Sequence, residues 1–497
     1  MLYNSTRGGQ TVGSARAIAQ GIACDGGLFV PEYFPVLSEA DWQNIKNFDY
    51  KQLAIFILGK YLDGDYTLGE IKVFVEKAYS EKTFGEKPVV FSPVCENEKI
   101  SVLELWHGPT FAFKDMALQI LPHLLTSAIE KTGECKDVII LVATSGDTGK
   151  AALEGFAGVS GTRIIVFYPV DGVSDIQKLQ MVTQQGSNVD VLAVKGNFDD
   201  AQSGVKKIFK DVALANRLQK KDCAFSSANS INWGRLVPQI VYYFSAYLSA
   251  VRNSSVKMGD KVNFVVPTGN FGNILAGFYA KCMGLPVNKF ICASNANNVL
   301  ADFINMGCYD KKRDFHKTIS PSMDILVSSN LERMLYKLTE GDSEQIAKWM
   351  QQLEQNGNYD IGELYKKKMQ EYFFGCWVAD KSTQKTIAAV FSEYGYLLDT
   401  HTAVAWYALE KYRKQTSDDT YSIVVSTASP FKFAADVLAS LQNKVSSDAF
   451  LALQELSALS GLKIPEAMQF LENAPVLHGG IVSAQDMQKE VEIILGV

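Results

Sequence analysis

Between residues 96 and 293 the sequence alternates short apolar runs with amphipathic stretches, and this pattern constrains the fold most strongly. Residues 138–143 read Val-Ile-Ile-Leu-Val-Ala, a continuous apolar run that is typical of a strand covered on both faces. Further strands are predicted at residues 164–168, 189–194, 262–266 and 290–293, and helices at residues 149–158, 175–185, 198–212, 233–251 and 274–283. This alternation predicts an α/β fold with parallel sheets and helices on both faces.

The regions that flank this alternation are mainly helical. Amphipathic stretches at residues 49–62 and 67–79 predict two early helices, residues 302–372 are helical as well, and residues 422–425 predict one late strand. A chain of 497 residues is too long for one hydrophobic core. The sequence therefore predicts three domains, namely a helical N-terminal layer over residues 1–95, a first α/β domain over residues 96–235 and a second over residues 236–497.

Charge and residue usage exclude several classes of protein. A net charge of −6 lacks the basic surplus of a nucleic-acid-binding protein, so no nucleic acid is expected as a partner. No uninterrupted apolar run approaches the ~18 residues of a membrane span. Neither H-E-x-x-H nor C-x-x-C occurs in the sequence, so no metal site is expected. The first residues do not form a secretory signal and the cysteines are scattered, which together predict a cytoplasmic location.

Lys114 has an unusual setting for a lysine. It follows the run Phe-Ala-Phe, and a Gly-Pro turn at residues 108–109 precedes that run. An ammonium group in apolar surroundings loses solvation, which lowers its pKa and makes the free amine available to attack a carbonyl. The stretch at residues 115–128 predicts a helix that begins beside it. A lysine that extends from a half-buried helix end to solvent would give the same local pattern.

Three loops rich in glycine or hydroxyl groups follow predicted strands. The loop at residues 143–152 could bind an anion at a helix N-terminus, the loop at residues 266–274 has two glycines that let the backbone approach a phosphate, and residues 425–433 place hydroxyls at a strand end. Each loop alone could be an ordinary capped turn. Together with a reactive lysine, they supply what pyridoxal 5'-phosphate requires.

The sequence closely resembles the threonine synthase family, which consists of fold-type-II pyridoxal-phosphate enzymes with a tryptophan-synthase-β-like fold. The matching runs occur in the family's order at residues 3–8, 25–31, 107–115, 143–151, 230–235, 269–273 and 426–430. The runs H-G-P-T-x-A-F-K-D and S-G-D-T-G are the most specific. The resemblance covers nearly the whole chain and implies two parallel-sheet α/β domains with a mainly helical N-terminal layer.

The resemblance also implies roles for individual residues. Lys114 matches the catalytic lysine that binds the cofactor covalently, and Thr427 matches the hydroxyl that faces the pyridine nitrogen, with Ser426 beside it as the alternative. The residues that match the phosphate-binding loop are Gly269, Asn270, Phe271, Gly272 and Asn273. The residues that match the substrate-carboxylate loop are Ser145, Gly146, Asp147 and Thr148. Most relatives of this fold carry asparagine where Asp147 stands. Because an aspartate would repel the substrate carboxylate, backbone N–H groups and hydroxyls are expected to bind it.

The activity that the resemblance implies is the conversion of O-phospho-L-homoserine and water to L-threonine and phosphate, by a monomeric enzyme. The phosphate of this substrate needs a second anion site. Lys150 is the first candidate because it follows the anion loop by only a few residues. Three further basic residues are candidates for the same role: Arg163, Lys178 and Arg235.

Other functions fit the same motifs. A threonine dehydratase or a phospholyase acting on an O-phosphorylated amino acid would share Lys114 and the phosphate-binding loop. Release of 2-oxobutyrate in place of threonine would identify such an enzyme. A non-catalytic threonine-synthase-like protein is the third alternative, and it would lack the visible absorbance of a lysine-bound cofactor.

Overall fold

The N-terminal layer packs helices around a small antiparallel sheet. The computed structural model describes residues 1–133, 137–170, 173–442 and 448–497. The first elements are β1 (Leu2–Ser5), β2 (Thr11–Gly13), α1 (Ser14–Gln20), β3 (Phe29–Pro31), α2 (Glu39–Ile45), α3 (Tyr50–Leu62), α4 (Leu68–Ala78) and α5 (Glu81–Phe84). Capping boxes at Ser38, Asp49 and Thr67 fix where α2, α3 and α4 begin. The helical character predicted for this region is confirmed.

Alternating strands and helices follow this layer. Up to residue 226 they are β4 (Val90–Cys95), β5 (Ile100–Glu104), α6 (Asp115–Leu118), α7 (Leu121–Thr132), β6 (Asp137–Ala143), α8 (Asp147–Phe156), β7 (Thr162–Pro169), α9 (Asp175–Val182), β8 (Val189–Lys195), α10 (Phe198–Lys210), α11 (Val212–Gln219) and β9 (Cys223–Ser226). The single helix predicted at residues 115–128 is in fact two helices. Pro122 lies in the first turn of α7, where its missing N–H costs nothing, so a new helix begins there.

The rest of the chain contains more helix. Its elements are α12 (Trp233–Arg252), β10 (Val262–Pro267), α13 (Gly272–Cys282), β11 (Val287–Ser294), α14 (Val299–Met306), β12 (Cys308–Asp310), α15 (Leu331–Leu338), α16 (Ser343–Asn356), β13 (Asn358–Asp360), α17 (Gly362–Tyr372), β14 (Phe373–Trp377), α18 (Asp380–Tyr394), α19 (Thr400–Thr416), β15 (Ser422–Ser426), α20 (Ala434–Gln442), α21 (Ala449–Ser460), α22 (Glu466–Gln469), β16 (Gly480–Ser483) and α23 (Met487–Leu495). Among the described residues, no helix is long and apolar enough to cross a membrane.

Two sheets of mainly parallel strands form the centre of the fold. One has five strands in the order β16-β8-β7-β6-β9, and all of its pairings are parallel. The other has six strands in the order β14-β11-β10-β15-β5-β4, and only β4 runs antiparallel to its neighbour. Strands such as β6 and β10 are almost entirely buried, as expected of strands with helices on both faces. The predicted α/β architecture is confirmed.

The two sheets exchange strands across the predicted domain boundaries. Strand β5 lies within residues 96–235 but pairs with β15 in the six-stranded sheet. Strand β16, near the C-terminus, pairs with β8 in the five-stranded sheet. The division at residues 95 and 235 therefore stays a prediction. Strands β5 and β16 each pair with a strand of a different predicted domain.

Arg333 in α15 links three distant parts of the chain. Its buried guanidinium donates hydrogen bonds to the carbonyls of Phe29, at 2.9 Å, and Ile231, at 2.6 Å, and to Asn330 Oδ1, at 2.6 Å. Asn330 in turn donates from Nδ2 to the carbonyl of Asn270, at 3.1 Å. Burial lowers the pKa of Arg333 to about 10. Arg333 thus connects the N-terminal layer with the segment before α12 and, through Asn330, with the loop at residues 269–273.

Replacing Arg333 with methionine is expected to lower the free energy of unfolding by about 3 kcal/mol or more, because buried acceptors lose their donor. Urea denaturation measures this change. The matched control is Arg217→Met, since Arg217 is 41% exposed and pairs with Glu492 at the surface. Arg217→Met should lower the free energy of unfolding by less than about 1 kcal/mol. Equal losses in the two variants would contradict the linking role of Arg333.

Candidate active site

A cavity of about 680 Å³ is lined by loops that follow strands of both sheets. It brings together eleven of the residues that the sequence singled out: Lys114, Ser145, Asp147, Thr148, Arg235, Gly269, Asn270, Phe271, Gly272, Asn273 and Thr427. The described residues that line it do not include Gly146 or Lys150. Stretches more than 300 positions apart in the chain therefore meet around one space.

Lys114 lies at the start of α6 and is only 9% exposed. Its Nζ is 3.4 Å from Asp147 Oδ2 and 5.0 Å from the centre of the Phe113 ring. Burial is the main cause that lowers the pKa of Lys114; the charges of Lys432 and Arg235 lower it further, and Asp147 opposes them. The lowered pKa makes the neutral amine, the form that attacks carbonyl groups and accepts protons, easier to form than in an exposed lysine.

The turn before Lys114 is bonded to the loop after β15. The Phe113 N–H donates to the carbonyl of Thr427, at 2.8 Å, and the Ser429 N–H donates to the carbonyl of Phe111, at 3.1 Å. Ser426 Oγ accepts hydrogen bonds from Trp106 Nε1, at 3.0 Å, and from a threonine hydroxyl of α19. Of the neighbours Ser426 and Thr427, the described lining of the cavity includes only Thr427. This placement favours Thr427 for the role that the sequence left open between them.

The loop at residues 269–273 leads into the N-terminus of α13, an eleven-residue helix. Phe271 has a left-handed backbone, with φ at 61°, which turns the chain into the helix. The first turn of a helix leaves N–H groups without acceptors, and its dipole favours an anion. Asn273 Oδ1 accepts hydrogen bonds from Tyr242 and Tyr243, both at 2.7 Å, whereas its buried Nδ2 lacks a partner among the described residues. These groups fit a bound phosphate.

Gly269→Ala is expected to weaken binding of pyridoxal phosphate about tenfold or more. A Cβ at this position would lie 2.8 Å from the carbonyl oxygen of Ser322, a backbone atom that cannot turn aside, so the loop must shift. Fluorescence titration of the cofactor-free protein measures the affinity. Gly479→Ala is the matched control, because nothing lies within 4 Å of a Cβ there. Unchanged affinity in Gly269→Ala would show that this close approach is not needed.

The loop at residues 145–148 forms the N-terminus of α8, which begins at Asp147. Ser145 and Thr148 line the cavity, so their hydroxyls and the helix N-terminus are available to an anion. Gly146 is part of this loop, but the described lining of the cavity does not include it. Its N–H donates to Thr144 Oγ1, at 3.0 Å, its φ is 133°, and a Cβ would lie 2.6 Å from Gln177. Gly146 therefore makes the turn possible and does not face the cavity.

Asp147 is a buried carboxylate that contacts two lysines. Its Oδ1 is 2.8 Å from Lys432 Nζ and its Oδ2 is 3.4 Å from Lys114 Nζ. It also accepts hydrogen bonds from Gln177 Nε2, at 2.8 Å, and Ser322 Oγ, at 3.0 Å. Burial alone would raise the pKa of Asp147, but the two ammonium groups and the hydrogen bonds lower it well below its usual value. Asp147 is therefore ionised and fully bonded.

Sequence reasoning missed Lys432, although a signal was present. Its side chain is fully buried, and it donates to the carbonyl of Thr110, at 2.7 Å, as well as to Asp147. Lys432 stands between Phe431 and Phe433, an apolar setting like that of Lys114. The apolar neighbours that make the setting of Lys114 unusual are therefore present at Lys432 as well.

The structure places Lys150, the first candidate for the substrate phosphate, in contacts outside the described lining of the cavity. The Lys150 ammonium pairs with Glu154, one helical turn further along α8, at 2.8 Å, and also with Gln184. Arg163 pairs with Asp190, at 2.9 Å. Of the four candidates, only Arg235 is among the described residues that line the cavity. Lys150 is close to the anion loop in sequence, but its pairing with Glu154 at positions i and i+4 directs its side chain along the surface of α8.

Arg235 has the properties of an anion-binding residue. It lies in α12, is 3% exposed, and donates from one guanidinium nitrogen to the carbonyl of Ala228, at 2.9 Å. Its Nε is buried and has no partner among the residues that the structure describes. Burial lowers the pKa of Arg235 to about 10, so the side chain stays charged at neutral pH. A buried, incompletely bonded guanidinium beside a cavity is well suited to a phosphate.

A segment without any sequence motif forms another wall of the cavity. Ser322, Met323, Ile325, Val327 and Ser329 line it. The Ser322 N–H donates to His401 Nε2, at 3.1 Å, and His401 Nδ1 lies 3.0 Å from Asp399. Ser328 Oγ donates to the carbonyl of Gly269, at 2.9 Å. The contacts of this segment with His401 and Gly269 join residues far apart in sequence, so no local pattern could have predicted them.

Three family models match consecutive parts of the chain. "Threonine synthase N terminus" matches residues 2–79, "Pyridoxal-phosphate dependent enzyme" residues 82–365, and "Threonine synthase, C-terminal" residues 402–477. Threonine synthase from Saccharomyces cerevisiae is 35% identical, over 96% of this chain and 96% of the relative. Threonine synthase-like 1 from Homo sapiens is 37% identical over 96% of this chain. The chain spans only 63% of the length of that relative.

Solved structures agree with these matches over the full chain. The pyridoxal-phosphate-bound threonine synthase from Brucella melitensis superposes with a TM-score of 0.85 at 35% identity, covering 100% of this chain and 98% of the other. The yeast threonine synthase gives a TM-score of 0.88 at 32% identity, covering 100% and 99%. The fold is therefore that of fold-type-II pyridoxal-phosphate enzymes, as the sequence predicted.

Proposed function

This chain belongs to the threonine synthase family of pyridoxal-phosphate-dependent lyases, and from that premise we propose that it converts O-phospho-L-homoserine and water to L-threonine and phosphate. The observation that carries the proposal is the presence of two separate features suited to a phosphate group in one cavity with Lys114. The N-terminus of α13 suits the cofactor phosphate, and Arg235 provides a second site. A dehydratase acting on unphosphorylated threonine needs only the first.

Pyridoxal 5'-phosphate is the cofactor of this family, and the residues present fit it. Lys114 would bond to its aldehyde carbon, residues 269–273 would hold its phosphate, and the Thr427 hydroxyl would meet its ring nitrogen. When bound, the cofactor supplies an electron sink that stabilises negative charge at the substrate Cα. A hydroxyl supports a protonated pyridine less strongly than a carboxylate does, which restrains side reactions.

The protein residues bind the substrate and move its protons. The Ser145 and Thr148 hydroxyls, with the N-terminus of α8, bind the substrate carboxylate. Lys114 Nζ accepts the Cα proton, because its lowered pKa favours the neutral amine, and later returns a proton to Cα. A Cβ proton leaves as well, and Arg235 balances the charge of the phosphate as the Cγ–O bond breaks. The oxygen of water then bonds to Cβ. Cα, Cβ and water each release one proton, and Cγ, Cα and the leaving phosphate each take one up.

Incubation of the enzyme with O-phospho-L-homoserine tests the proposal. Phosphate and threonine are expected in equal amounts, with 2-oxobutyrate absent. Phosphate with 2-oxobutyrate would instead identify a simple phospholyase. The threonine synthase-like 1 relatives make a third outcome relevant: absence of turnover in a protein that binds the cofactor would identify a non-catalytic member.

We further propose a monomeric enzyme in the cytoplasm, built from the three domains predicted by the sequence. Sedimentation at several protein concentrations tests the oligomeric state. Calorimetric unfolding tests the division into domains: separate transitions would support it, and a single cooperative transition would contradict it.

A further inference from the structure

Asp147 is a buried carboxylate within the loop that would receive the substrate carboxylate, so it needs a counter-ion. Asp147 is ionised and its side chain is only 4% exposed, yet it stands between Ser145 and Thr148 in the loop at the N-terminus of α8. Two anions a few ångströms apart in a site of low dielectric repel each other strongly. An unpaired Asp147 would therefore oppose any carboxylate at this loop.

Two lysine side chains contact Asp147, but only one of them must change its charge during the reaction. Lys114 lines the cavity and must gain and lose a proton during the reaction, so its charge changes. Lys432 has a side chain with no exposure and is absent from the described lining of the cavity. It therefore takes no direct part in the chemistry. Of these two side chains, only Lys432 is not required by the reaction to change its charge.

The position of Lys432 is fixed by two hydrogen bonds. Its Nζ is 2.8 Å from Asp147 Oδ1 and donates to the carbonyl of Thr110, at 2.7 Å. Thr110 lies in the turn that precedes Lys114, and its N–H and hydroxyl are bonded to Asp115. Lys432 thus connects the turn before the reactive lysine with the anion loop.

We propose that Lys432 is a positioning residue that neutralises Asp147 and so allows the loop at residues 145–148 to accept the carboxylate of an amino-acid substrate. The proposal rests on the proposed function only in taking O-phospho-L-homoserine as that substrate. The neutralised pair leaves the positive N-terminus of α8 as the net electrostatic contribution of the loop.

Three variants test this inference: Lys432→Met, Asp147→Asn and the double variant. Lys432→Met is expected to raise the KM for O-phospho-L-homoserine tenfold or more, with a smaller change in kcat, because the bare carboxylate repels the substrate. The KM of the double variant should lie within about threefold of the KM of Asp147→Asn, since the repelling charge is gone. Titration of the bound cofactor's absorbance with the substrate gives the affinity even without turnover. Lys368→Met, at an exposed lysine, is the matched control.

Thermal unfolding of the cofactor-free proteins provides a readout that does not depend on activity. Lys432→Met should lower Tm by leaving a buried charge unpaired, and the double variant should regain most of the loss. If Lys432→Met fails to fold while the double variant folds, the pairing is supported. Equal losses of Tm and affinity in Lys432→Met and the double variant would overturn the proposal, because Lys432 would then act through packing. Failure of the proposed function would appear separately, as a wild-type protein that forms no threonine.

Discussion

Replacing Lys114 with alanine is expected to lower kcat for threonine formation about 1,000-fold or more. The variant loses both the amine that bonds to the cofactor and the base that carries the Cα proton. The structure gives this expectation a physical cause, because burial and two nearby cations favour the neutral amine at this position. Borohydride reduction followed by peptide mass analysis measures the covalent bond directly. Wild-type protein should carry the reduced cofactor on Lys114, and the variant should carry none.

The control for this experiment is Lys368→Ala, which removes an exposed lysine that pairs with Glu340 at the surface. It should retain wild-type turnover and cofactor attachment. Substantial threonine formation by Lys114→Ala, with the control intact, would remove Lys114 from the mechanism. Cofactor attached at another lysine of the variant would have the same consequence.

Replacing Arg235 with methionine is expected to lower kcat/KM for O-phospho-L-homoserine about 100-fold. Loss of charge-assisted hydrogen bonds to a phosphate removes about 3 kcal/mol, and each 1.4 kcal/mol corresponds to a factor of ten. Inhibition by inorganic phosphate should weaken in parallel, because the product occupies the same site. Binding of the cofactor should change little, since residues 269–273 hold its phosphate.

Two comparisons sharpen this prediction. Lys150→Met should leave KM within about twofold of wild type, because the Lys150 ammonium is held by Glu154 and Gln184. Arg163→Met, which removes an arginine paired with Asp190, is the control for loss of a positive charge near the five-stranded sheet. A large rise in KM for Lys150→Met with no effect of Arg235→Met would assign the substrate phosphate to Lys150 instead of Arg235.

Most of the α/β architecture could be predicted because its signals are local. The apolar run at residues 138–143 identifies a strand covered on both faces, and capping residues such as Asp49 and Thr67 mark helix starts. The pairing of β5 with β15 and of β8 with β16 could not be predicted in this way, since each joins segments separated by almost 300 residues or more. Strand pairing at such separations is decided by tertiary packing.

The candidate site shows the same division. The loops at residues 145–148 and 269–273 were recognisable because glycine and hydroxyl residues follow predicted strands. Sequence patterns do not give the orientation of a single side chain, and for this reason they do not distinguish Arg235 from Lys150. Lys432 and Ser322 reach Asp147 only after the chain has folded. Sequence patterns predicted the backbone loops of the site better than its buried ion pairs.

The most direct test of the proposed reaction is turnover of O-phospho-L-homoserine in water labelled with oxygen-18. Elimination from Cγ followed by addition of water at Cβ predicts one labelled oxygen in the threonine hydroxyl and none in the released phosphate. Labelled phosphate together with unlabelled homoserine would show that the P–O bond breaks instead. That result would contradict the account of the cavity as a site for elimination and water addition.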